Sequence, residues 1–200
     1  MTRREVIKKT ALLTGYALTS SMMQGILAGC QPTGNATDWT PQYFTKEQAD
    51  LVSAIADCIL PRTSTPGALE VGVPAFIDMM VKEILEAREQ RAFMLGLKEV
   101  NAASFYEFGK SFMALQRQEQ EALLVKVESA EVLAEIDRRE KCPDEWNFPF
   151  FLRFKQMALS GYFTSKLVGM EVTNYDPNPG AYKGCIPLSE VPKGRIWSSI

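Results

Sequence analysis

No histidine occurs among the 200 residues. Its absence excludes Ser-His-Asp and Cys-His nucleophile pairs, the C-x-x-C-H haem attachment and any imidazole-ligated metal centre. There is no P-loop, no C-x-x-C pair and no G-x-G-x-x-G following a strand. The glycine-rich stretch Gly180-Ala181-Tyr182-Lys183-Gly184 lies in proline-rich coil, with no helix to aim at a phosphate, so it is not read as a nucleotide site. The chain has no excess of basic residues, 22 against 24 acidic, which argues against nucleic acid or an anionic lipid surface as its main partner. Nor is there a long hydrophobic run. The most apolar stretch, residues 10–28, is interrupted by Thr14, Gly15, Thr19, Ser20, Ser21 and Gln24, too polar and too short for a comfortable transmembrane helix.

What the N-terminus does contain is two addresses in order. Thr2-Arg3-Arg4-Glu5-Val6-Ile7-Lys8 reads as a twin-arginine export signal, a pair of guanidinium groups at fixed spacing followed by an apolar contact. Leu27-Ala28-Gly29-Cys30 reads as a lipoprotein processing site, where small residues precede a thiol that takes up lipid. Residues 1–29 are then a signal h-region with its flanks. Residues 30–44 form a lipid-attached tether, its 31–38 stretch polar and rich in Gly, Thr and Asn. The mature body is expected on the periplasmic side, anchored to a membrane through Cys30. Removing the signal takes away four basic residues (Arg3, Arg4, Lys8, Lys9) and one acidic (Glu5), which moves the net charge from −2 to −5. Twin-arginine cargo crosses already folded and is commonly a cofactor protein or the escort of one.

From residue 45 to 165 the pattern is helical. Thr45 with Gln48 makes a capping box, after which Leu51, Val52, Ile55, Cys58 and Ile59 recur at helical spacing until Pro61. Pro74 suits the first turn of a second helix with the apolar stripe Phe76, Ile77, Met80, Val81, Ile84 and Leu85. Further helices are expected over 91–108 (Phe93, Met94, Leu97 and Val100 on one face), 118–128 and 131–140, and again from Phe150 through Phe163. Four prolines and four glycines argue against helix over 166–200, which reads as an irregular arm over the bundle, anchored by Tyr175, Tyr182, Ile186, Ile196 and Trp197. The fold class is therefore all-α, one domain of five to six helices (45–165) with a proline- and glycine-rich arm (166–200).

The carboxylates Glu131, Glu135, Asp137 and Glu140 read as a solvated helix face. Cys58, on an apolar stripe, reads as a small core residue. Cys142 and Cys185 both sit in loop sequence beside prolines, and whether they are bridged or free is left open by sequence alone. No residue is assigned a catalytic, cofactor-binding or metal-ligating role.

Three blocks of sequence carry a resemblance. Ile59-Leu60-Pro61 with Thr65-Pro66-Gly67-Ala68 and Gly72-Val73-Pro74-Ala75-Phe76-Ile77-Asp78 forms the first. Phe150-Phe151 with Leu159-Ser160-Gly161-Tyr162-Phe163-Thr164-Ser165 forms the second, and Pro179-Gly180-Ala181-Tyr182-Lys183-Gly184-Cys185-Ile186-Pro187 the third. In this order, behind an export signal, they resemble the gluconate 2-dehydrogenase subunit 3 family across about residues 45 to 190. The resemblance implies a small, non-catalytic subunit without a cofactor of its own. It would partner a large FAD-binding dehydrogenase of the glucose-methanol-choline type, often with a multihaem cytochrome c. Such a subunit helps its flavoprotein mature and escorts it through the twin-arginine pore. Tyr175, Tyr182 and Trp197 are the expected partner contacts, as aromatic side chains dominate binding energy once buried. The alternative class is an autonomous envelope lipoprotein that binds a small molecule or another envelope protein.

Overall fold

Among the described residues five α-helices follow one another: α1 (Lys46–Ile59), α2 (Val73–Glu83), α3 (Ala87–Phe108), α4 (Arg117–Lys141) and α5 (Phe150–Phe163). The computed structural model describes residues 39–142, 146–176, 185–191 and 194–198, and among them β-pairing is confined to one isolated bridge, Asn174 with Trp197. The expected all-α class is what forms. Arg3, Arg4, Cys30, Tyr182 and the 180–184 loop lie outside the described residues.

The first two helices follow their sequence signals closely. Thr45 Oγ1 accepts from the Gln48 N–H at 3.4 Å while Gln48 Oε1 accepts from the Thr45 N–H at 2.9 Å, the reciprocal cap of α1. Pro74 sits in the first turn of α2, behind Gly72 at φ 78°, a left-handed corner that favours glycine. The stripe of α2 ends sooner than its apolar pattern. Ile84 is the C-cap and 63% exposed, and Val73, Pro74, Ile77 and Val81 supply the buried face together with Asp78.

Two helices expected over 118–128 and 131–140 are one, α4, of 25 residues. Nothing at the junction breaks it, because Ser129 turns its hydroxyl back onto the Val125 carbonyl (2.8 Å) and Ala130 is a strong helix former. Helical structure also persists past α5: a π-helical turn covers Val168–Val172, so the arm proper starts later than residue 166.

Phe93 of α3 is the centre of the core. It stacks on Phe44 (centroids 5.8 Å) and Phe154 (6.1 Å) and meets Phe150 edge-on at 5.1 Å. Two glycines let α5 approach its neighbours. A Cβ on Gly96 would fall inside the Phe150 side chain, and one on Gly161 would come within 2.7 Å of Phe76.

The bundle has two distinct ends. At one, Gln90 Nε2 donates to the Val81 carbonyl (2.9 Å), closing the α2–α3 corner, and Lys82 Nζ reaches Gln42 Oε1 at 2.8 Å. At the other, Arg117 grips Asp57 through its carboxylate (2.5 Å) and its carbonyl (2.6 Å). Tyr162 Oη donates there to the Pro66 carbonyl at 2.8 Å. The chain thus enters the bundle at the α2–α3 corner and leaves α5 at the opposite end.

Candidate functional site

The segment after α5 is held by polar stitching rather than by the large aromatics the sequence suggested. Ser165 and buried Val168 root it on α5, and Thr173 Oγ1 donates to the Gly169 carbonyl at 3.0 Å. Asn174, only 7% exposed, is the hub. Its N–H donates to the Ile196 carbonyl (2.8 Å), its carbonyl accepts from the Ser198 N–H (2.6 Å), and its Nδ2 donates to the Arg195 carbonyl (2.7 Å). Arg195 in turn donates to the Glu171 carbonyl at 2.5 Å. Two strips of the arm some twenty residues apart in sequence are thereby fastened together.

With the backbone so fixed, the large side chains of the arm face solvent. Tyr175 and Trp197 are each 47% exposed and Ile196 is 63% exposed, so these three do not anchor the arm on the core as expected. On the core it is Val168 that is seated, with Val172 packed against it, while Val191 is buried without joining the core cluster. Met170, on the π-helical turn, is also exposed. Of the expected partner contacts, Tyr175 and Trp197 lie on the two strips that the Asn174–Trp197 bridge sets side by side, and both are exposed. Met170, Tyr175, Ile196 and Trp197 are thus exposed apolar side chains on a segment closed by its own hydrogen bonds, and such side chains are what proteins dock through.

Elsewhere the polar groups are structural. Glu131 and Glu135 are not on a solvated face, as Glu131 accepts the Phe151 N–H on both oxygens (2.9 Å each) and the Leu152 N–H at 3.2 Å, capping α5 from a neighbouring helix. Burial pushes its carboxyl up from the ordinary value, opposed by those N–H groups. Glu135 receives Arg138 (2.8 Å), Arg139 (2.7 Å) and Asn147 (2.8 Å), which hold its carboxyl well below the usual range. The i+3 and i+4 spacing of Arg138 and Arg139 is a cue in the sequence for the Glu135 pairs, whereas Asn147 across the loop and the Phe151 and Leu152 N–H groups on another helix are not. Asp78, 2% exposed in the apolar face of α2, is likewise a surprise. Cys142 and Cys185 stand as exposed free thiols. Cys58 is half-buried, its thiol donating to Gln120 Oε1 at 3.6 Å and raised in pKa by burial.

Shallow clefts line the bundle. One of about 320 Å³ runs between α3, α4 and the 146–150 strip, with Leu95, Trp146 and Phe148 beside Glu99 and Glu131. Among the described residues no group of three or more Cys, Asp or Glu is placed to hold a metal ion, and no helix is long and apolar enough to cross a membrane. The family model described as gluconate 2-dehydrogenase subunit 3 matches residues 46–180, from the first residue of α1 into the arm. No curated protein and no solved structure matches the chain.

Proposed function

The chain belongs to the gluconate 2-dehydrogenase subunit 3 family, and from that premise we propose that it is the non-catalytic small subunit of a flavin-dependent sugar or sugar-acid dehydrogenase. Its role is to bind the large subunit, help it mature and escort it through the twin-arginine pathway, then hold it to a membrane through lipid on Cys30. The family match over 46–180 carries this reading, because it spans all five helices and the root of the arm. The sequence supports it independently with Arg3 and Arg4 placed for folded export and Cys30 placed for lipidation. In this reading FAD belongs to the large subunit, with a cytochrome c as a further partner that accepts its electrons.

The apolar patch of Met170, Tyr175, Ile196 and Trp197 is the docking surface this reading favours. Its frame is closed by hydrogen bonds before any partner arrives, so little conformational entropy is lost on binding. Replacing Arg3 and Arg4 by Lys tests the escort role, as lysine lacks the planar guanidinium fork. Cell fractionation should then find both this chain and the flavoprotein in the cytoplasm. Normal export of the flavoprotein in that variant would refute the escort role.

A further inference from the structure

Several charged side chains of the bundle are engaged within the fold. Buried Asp78 accepts three successive backbone N–H groups, from Gln42 (2.7 Å), Tyr43 (3.1 Å) and Phe44 (3.0 Å). Lys155 donates to Glu128 at 2.7 Å, and Arg117 is held between Asp57 and Glu121. Arg153 of α5 differs, because its guanidinium makes no ion pair or hydrogen bond with any described residue, although Glu89 lines the same groove. Glu89 is occupied in another way. Its Oε2 accepts the Glu86 N–H at 3.1 Å, and its charge sits in the first turn of α3, where the helix dipole favours it.

The groove that Arg153 borders has a volume of about 190 Å³. Phe76, Met80, Leu85, Phe148 and Met157 make it apolar, and Arg153, Gln156 and Ser160, at i, i+3 and i+7, bring one face of α5 to it. Its two methionines are unbranched thioether chains that repack around an entering group. An apolar cavity of about 150 Å³ holds one benzene ring, whereas sites for small molecules begin near about 300 Å³. The groove therefore has room for one large side chain and is too small for a flavin. Arg153 sets the polar part of the ligand, since its fork of donors matches a carboxylate. Met79, Ile84 and Leu159, each next in sequence to a groove residue, are exposed, so further apolar surface is available to the rest of a bound segment.

Resting on the small-subunit reading above, we propose that this groove is an anchor pocket for the large subunit. It takes one aromatic or branched apolar side chain from an acidic segment of that protein, and a neighbouring Asp or Glu carboxylate of the segment pairs with Arg153. An apolar anchor in a pocket beside an arginine is the arrangement on which binding energy concentrates, and the ion pair fixes the register of the segment.

The pocket is probed first with hydrocinnamate, which joins one aromatic ring to one carboxylate. Titrated into the full chain with methyl-labelled methionine, it should shift the Met80 and Met157 methyl resonances. Arg153→Gln should weaken that binding at least fivefold, and hydrocinnamyl alcohol, of similar size but uncharged, should bind the parent at least fivefold more weakly. Ser160→Trp, which fills the groove from an exposed position, should abolish the shifts. Unmoved Met80 and Met157 signals, or equal binding of acid and alcohol, would overturn the pocket. The second arm measures affinity for the flavoprotein. Arg153→Glu should weaken it at least tenfold, while Arg91→Glu, the same charge change at an exposed residue outside the groove, stays within twofold of the parent. An Arg153→Glu chain that binds as the parent does would overturn the docking role and leave the small-subunit reading standing. A parent chain that binds no flavoprotein would overturn that reading and the inference with it.

Discussion

At the scale of single residues, the structure gives a polar side chain in a helical bundle its meaning from the backbone groups it satisfies. Glu131 has a raised pKa in the fold because burial outweighs the N–H groups of Phe151 and Leu152. Between the ordinary carboxylate range and that raised value, the folded chain retains a proton the unfolded chain has released. Its contribution to stability is therefore complete at low pH and is lost as pH rises through the folded-state pKa. Urea titrations from pH 4 to 8 should show this decline in the parent and its absence in Glu131→Gln; Glu131→Ala should be weaker than the parent by about 1–2 kcal/mol at pH 4, as expected for loss of a helix cap, with the deficit shrinking as pH rises. A different readout applies to the thiols. Ellman's reagent on the folded mature chain should find Cys142 and Cys185 fast and Cys58 slow, as burial disfavours the Cys58 thiolate. Fast thiols that appear only after reduction would establish a 142–185 bridge instead.

Among the elements, close approach matters more than helix propensity. Gly96→Ala should gain about 1 kcal/mol of helix propensity yet lose more, since the added methyl displaces the Phe150 ring from its place against Phe93. A net loss of about 2 kcal/mol or more by thermal unfolding is expected; an unchanged or raised Tm would mean that α5 can shift away from α3 freely. The first two helices were readable from sequence because a capping box, a first-turn proline and an apolar stripe each act within a few residues. The same local rules suggested two helices where α4 is one, since charged residues around Ser129 resemble a boundary that no Gly or Pro enforces. Asp78 and Glu131 were illegible for a related reason, as both bind backbone from other elements; for Glu135 the i+3 and i+4 arginines were visible and only Asn147, across a loop, was not. The patch was half legible. Tyr175 and Trp197 stood out as large aromatics in coil, but only the Asn174 bonds set their two strips side by side, and only burial shows that both face solvent.

For the whole molecule, the fold and the proposed docking surface are separable, because Tyr175 and Trp197 lie outside the bundle core. Tyr175→Ala with Trp197→Ala should leave stability within about 0.5–1 kcal/mol of the parent, both side chains being exposed, while weakening partner binding by about 2 kcal/mol or more. Truncation must respect the same boundary. A cut after Ser165 removes buried Val168 and Thr173 and should destabilise the bundle, whereas a cut after Asp176 keeps both, loses only the Asn174 bonds and Val191 of the arm, and should remove binding while the bundle still folds. Circular dichroism beside a pull-down distinguishes the two. The most direct measurement of the small-subunit assignment is affinity purification of the mature chain from membranes, followed by dissociation and an absorption spectrum of each polypeptide. The account predicts a larger polypeptide that co-purifies and retains all the flavin, with the small chain colourless; a small chain that purifies alone, or that carries the flavin itself, would contradict it.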